Sequence, residues 1–222
     1  MDLSNQCKAY EVNKGESMKL VDEWIERLSE DFKKGASTKK SEMKHKLKEI
    51  TISFTKIQLN KVPKVRVGIV GEIYIKYSSL GNNNLEEIEV PGIMGFMLYC
   101  IYNSIEDHYL YGGKLSKLLT FKAIYQYALG LEKMIIDAIK ENSNFEVPND
   151  FNNLIHEASK VINIGTKMGE GWLLTGEMME LNASGFKNII CTQPFGCLPN
   201  HIVGKGMIRK IKELDPTCNI VP

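Results

Sequence analysis

The chain has 222 residues, of which 43% are hydrophobic, enough for a folded core. Its 28 basic and 27 acidic residues leave a net charge of +1, so the overall charge gives no reason to expect nucleic acid or an anionic membrane as partner. No run reaches the ~18 continuous apolar residues of a membrane span, and "MDLSNQCKAYEVNKGE" lacks the apolar stretch of a secretory signal.

Cysteines stand at positions 7, 100, 191, 197 and 218. The odd count, wide scatter and missing signal predict a cytoplasmic protein with unbridged thiols. In chain order, residues 1–62 read as a helical N-terminal segment and residues 63–222 as an α/β domain. "SMKLVDEWIERLSEDFKKG" places Met18, Val21, Trp24, Ile25, Leu28 and Phe32 at helical spacing, closed by Gly35 as a C-cap. Lys33 to Lys48 holds seven lysines and one glutamate. No aromatics interleave with these lysines, so the stretch reads as a solvated helix face and loop.

The texture changes at Pro63. The β-branched run Val65 to Val70 reads as a central parallel strand buried on both faces, ending in Gly71-Glu72. "NNNLEEI" predicts a helix start with an asparagine cap, and "IEVPGIM" a short strand. The interval Leu85 to Val90 is shorter than the crossover of about a dozen residues that parallel strands need. Either the connection is unusual or residues are missing at this point, and the second reading is preferred. Ile93–Ser104, Lys114–Asn142 and Asn152–Lys167 carry helical apolar spacing, and "GTKMGEGWLLTGEMMELNASG" gives a glycine-rich turn and a helix ending at Gly185. "FKNIICTQ" is strand-like, "PNHIVGKGMIRKIKEL" helical, and "CNIVP" opens a last strand. The alternation implies a Rossmann-like parallel sheet flanked by helices, with right-handed crossovers. The stop at Pro222 inside a strand predicts a piece of a longer protein.

Ligands of open α/β sheets bind at the carboxyl ends of strands, which puts "CTQPFGCLPNH" in the place where chemistry is expected. Pro194 and Pro199 restrict this loop, and Gly196 permits close backbone approach. Cys197 precedes a helix whose positive end favours thiolate; it reads as a ligand or nucleophile, the alternative being a packed thiol. The C-x5-C interval to Cys191 matches no common zinc or ferredoxin spacing, so Cys191 reads as a buried strand residue. Cys7, Cys100 and Cys218 read as structural or incidental. His201 fits an acid–base or a capping role. Glu72 fits a general base or a loop cap, with Tyr74 in the same crevice. Gly71 closes a G-x-x-G that is not a dinucleotide fingerprint. Gly169, Glu170 and Gly171 form a tight turn able to approach a bound group, and the GKG at 204–206 lacks P-loop spacing.

Three stretches, "VRVGIVGEIYIKYSSLGNNNL", "GEGWLLTGEMMEL" and "NIICTQPFGCLPNHIVGKGMI", together resemble the acyl-CoA dehydratase activase-related proteins, the CoA-substrate-specific enzyme activases. These are similar to 2-hydroxyacyl-CoA dehydratase, including 2-hydroxyglutaryl-CoA dehydratase, and to benzoyl-CoA reductase subunits. The likeness runs from Lys64 to Pro222. It implies a fragment of the dehydratase-like part of an ATP-dependent electron-transfer protein of anaerobic metabolism. Such a part holds an iron–sulfur cluster by cysteines from several domains. Cys197 is the one ligand carried over, an activase domain the implied partner and an acyl-CoA-like molecule the implied substrate. Glu72, Tyr74, Glu170 and His201 would line the crevice. The remaining cluster ligands would lie elsewhere, so this piece alone is expected to lack an assembled cluster. No ATP-binding motif is present. A Rossmann-like scaffold that docks the activase or another subunit is the second reading. A cysteine hydrolase is the third, weakened because no familiar histidine–acid signature accompanies Cys197.

Overall fold

The computed structural model describes residues 2–36, 39–77 and 93–222. These form two compact units, Met1–Lys64 with Gly130–Pro148 and Val65–Leu129 with Asn149–Pro222. The first holds helices α1 (Asp2–Lys8), α2 (Glu16–Lys33) and α3 (Lys40–Thr55). It centres on Trp24, whose buried ring donates its N–H to Ser53 Oγ at 2.8 Å amid Cys7, Phe54, Ile57 and Ile139. The buried stripe of α2 is narrower than its spacing predicts, since Ile25 and Phe32 face solvent. Gly35 does close the helix, at φ 70°, and Ala36 N–H reaches back to Asp31 O at 2.8 Å.

The second unit contains β1 (Val67–Gly71), α4 (Ile73–Tyr77), α5 (Ile93–Tyr111), the first half of α6 (Leu115–Asn142), α7 (Phe151–Ser159), α8 (Trp172–Ala183) and β2 (Asn188–Thr192). It ends in a π-helical turn (Asn200–Gly204), a 3-10 turn (Lys205–Met207), α9 (Ile208–Leu214) and β3 (Asn219–Val221). The described residues are mostly helical around an open, all-parallel three-stranded sheet in the order β1-β2-β3. Among them no helix is long and apolar enough to cross a membrane.

β1 is therefore an edge strand among the described residues, where a central one was expected. It begins at Val67, and Val65 is exposed. Register aligns Val70 with Cys191 and Ile189 with Ile220, so these four share one face. That face is packed by Met178 and Leu181 of α8 and Ile211 of α9. α8 comes so close to β1 that a Cβ on Gly68 would lie 2.7 Å from Leu181 Cδ1. On the other face Ile69 is buried, whereas Val221 at the far edge is exposed.

α7 ends at Ser159, short of the expected Lys167, and beyond it Asn163 turns the chain: its Oδ1 accepts from Gly165 N–H at 2.8 Å. The chain is helical from Ile93, so the end of the expected strand "IEVPGIM" is replaced by α5. The rest of that stretch, "NNNLEEI" and the suspected gap lie outside the described residues.

α8 is buried on every side, with Trp172 wholly enclosed by Tyr99, Tyr102 and Phe151 at ring-centroid distances of 5.2, 6.1 and 5.9 Å. The edge-on geometry with Tyr102 suits the aromatic quadrupoles. Trp172→Ala should cost about 3–5 kcal/mol of stability, read as a lower denaturant midpoint. A midpoint equal to wild type would contradict this packing.

Candidate site at the carboxyl ends of the strands

The candidate site starts with a clash that only glycine avoids. At Gly71, with φ 151°, a Cβ would stand 1.9 Å from the carbonyl oxygen of Thr192. β1 and β2 thus end backbone against backbone, and Glu72 N–H donates to the same oxygen at 3.2 Å. The Glu72 carboxylate accepts the Ile75 N–H at 2.9 Å and so caps the short α4. Of the two roles the sequence leaves open for Glu72, the geometry displays the cap. Tyr74 is 65% exposed.

The turn Gly169-Glu170-Gly171 is held from below. Tyr99 Oη lies 2.9 Å from Gly169 O and 3.0 Å from Lys167 O, its one proton shared between them. Burial pushes this phenol up to about 12, keeping it a neutral donor. Gly171 has φ 48°, and a Cβ there would meet Thr166 O at 2.4 Å and Tyr99 Oη at 2.5 Å. Trp172 N–H bonds Thr166 O at 2.7 Å, so the turn is fixed to the aromatic core. Glu170 Oε1 accepts Ile73 N–H at 3.3 Å. A Cβ on Gly169 would lie 3.3 Å from Pro199 Cβ.

The loop after β2 folds as a tight turn. Cys197 N–H donates to Pro194 O at 3.3 Å, with Gly196 at φ 76° in its left-handed position. Phe195 is fully exposed, Leu198 largely so, and Cys197 half-buried. His201 Nδ1 lies 2.8 Å from Cys197 O. A carbonyl only accepts, so Nδ1 carries a proton, and in the neutral ring Nε2 is the acceptor. The expected helix from Pro199 onward starts as a π-helical turn, a form often found at functional sites. Thr175 Oγ1 donates to Val203 O within it at 2.6 Å.

Two residues that sequence reasoning passed over stand out here. Asn200 is wholly buried, and neither Nδ2 nor Oδ1 has a hydrogen-bond partner among the described residues; Gln193 Oε1 is likewise buried and unmet. An asparagine after proline at a helix start reads as a cap, and nothing in the sequence separates that role from this one.

The described residues do not by themselves fit an iron–sulfur cluster. Cys191 faces the packed core, wholly buried, its thiol pushed up to about 11 by burial and by the charge of Glu177. The π-helical turn presses on it: a Cβ on Gly204 would lie 3.1 Å from its sulfur. Among the described residues no three of His, Cys, Asp and Glu gather closely enough to hold a metal ion. Cys197 alone offers an accessible thiol in this loop.

These surroundings set an order of thiol reactivity. Iodoacetamide should label exposed Cys100 and half-buried Cys197 first, and Cys191 and Cys7 only on unfolding. Peptide mass spectrometry reads the order; Cys191 labelled as fast as Cys197 would contradict it. Comparison with family models, with curated proteins and with solved structures finds no match for this chain.

Proposed function

We propose that this chain is the substrate-binding module of an ATP-dependent, dehydratase-like electron-transfer system acting on acyl-CoA-like substrates. One observation carries the reading. The three stretches that bear the sequence resemblance, the first of them about 80 residues before the other two, meet pairwise at one end of the sheet. Gly71 abuts Thr192, Ile73 bonds Glu170, and Gly169 abuts Pro199. Parallel sheets bind ligands at this edge, and the small open sheet is in this reading one part of a larger Rossmann-like sheet. Backbone amides and glycines form the crevice. Glu170 ties α4 to the glycine turn, and His201 offers Nε2 as a proton acceptor. Cys197 would lend one thiolate to a cluster whose other ligands lie outside the described residues.

A docking role is favoured by the apolar rim of the same edge, where Phe195, Leu198 and Met168 are exposed. In this second reading an activase domain or another subunit covers the rim, and the chain itself does no chemistry.

Calorimetric titration with butyryl-CoA separates the two. The module reading predicts saturable binding, weakened at least fivefold by Glu170→Ala with the fold retained. Absence of binding by the wild-type chain would sink it in favour of the docking role.

A further inference from the structure

Resting on the reading of this edge as a ligand crevice, we propose that Asn200 and Gln193 recognise a neutral ligand carrying amide N–H and C=O groups. The loop that joins them also carries Cys197, so recognition and thiol chemistry would share one short segment.

A buried carboxamide without partners is costly, because water solvates both of its ends in the unfolded chain. Such groups concentrate where something else satisfies them. Asn200 leaves both ends unmet and Gln193 leaves its carbonyl oxygen unmet. The two flank an irregular loop between the end of β2 and the π-helical turn. The neighbouring polar groups are already engaged: Thr175 Oγ1 donates to Val203 O, and His201 Nδ1 faces Cys197 O.

The inventory of unmet groups fixes the ligand chemistry. It contains one NH2 donor and two carbonyl acceptors. Exchange of O and N in the Asn200 amide leaves that count unchanged. A carboxylate or phosphate would face two acceptors with no proton of its own, so negative charge at this point is disfavoured, and an ammonium would leave the NH2 donor unmet. Successive amides, each offering an N–H beside a C=O, match both residues. The pantetheine arm of an acyl-CoA has this chemistry, with two secondary amides in series. The arm reaches the buried pair as the loop Gln193–Pro199 parts from the strand end. Its tip, Phe195, is fully exposed, and Gly196 supplies the backbone freedom.

The test titrates the full chain with reduced pantetheine and with butyryl-CoA, for wild type, Asn200→Leu and Asn200→Asp. Wild type should bind both probes. Asn200→Leu, close in volume and apolar, should bind pantetheine at least tenfold more weakly while its unfolding midpoint holds or rises. Asn200→Asp should also weaken binding, since it exchanges the donor for an acceptor. Unchanged pantetheine affinity in Asn200→Leu would overturn the assignment and leave the pair satisfied by buried water only. If that variant fails to fold, Gln193→Met decides: a several-fold loss supports the proposal and an unchanged affinity overturns it. Wild-type binding of butyryl-CoA without pantetheine overturns this assignment alone. Binding of neither probe overturns both it and the crevice reading.

Discussion

The architecture of the sheet-bearing unit depends on a helix with no wet face. α8 is enclosed from Trp172 to Met179, and its two ends serve different cores. Trp172 and Leu173 belong to the aromatic cluster with Tyr99 and Phe151; Met178 and Leu181 press on the covered face of the sheet. α7 comes close enough that a Cβ on Gly176 would lie 3.1 Å from that of Ala158. A helix fixed this way cannot shift without opening both cores. The glycine turn ahead of it inherits that rigidity through the Trp172 N–H bond to Thr166 O, so the candidate site stands on the best-packed element of the unit.

The polar chemistry of the carboxyl edge is largely spent on holding backbone in place. The carboxylates of Glu72 and Glu170 accept N–H groups from the first turn of α4, and the Tyr99 hydroxyl holds two carbonyls of the turn below. What stays open is the outward Nε2 of His201, the half-buried thiol of Cys197 and the unmet amides of Gln193 and Asn200. All four come from the loop after β2 and the turn that follows. The edge thus divides into a braced half, built on β1 and the glycine turn, and a receptive half built on that loop.

Much of this was legible in the sequence. The β-branched runs mark the three strands, and Gly35 and Gly185 mark helix ends. The strand-end position of "CTQPFGCLPNH" follows from the strand before it. Other features were not, for physical reasons. A continuous apolar run does not tell an edge strand from a central one, because Ile69 and Val70 are both buried either way. Spacing runs on through Ile162 and Ile164 although the helix ends at Ser159 and Asn163 makes a turn of its own. The segment around Gly204 and Gly206 reads as one helix, yet it passes through π and 3-10 turns before α9. In the sequence Glu72 fits a cap and a general base equally, and only the Ile75 N–H on its carboxylate separates the two. Asn200 carried no signal, because burial without a partner is a property of three-dimensional packing.

The central claim is that three separate stretches make one ligand site, and amide hydrogen exchange with and without butyryl-CoA tests it most directly. The account predicts that residues 71–75, 169–173 and 193–204 gain protection together at one ligand concentration, while α1 to α3 stay unchanged. Protection confined to one stretch, or appearing only elsewhere in the chain, would contradict it.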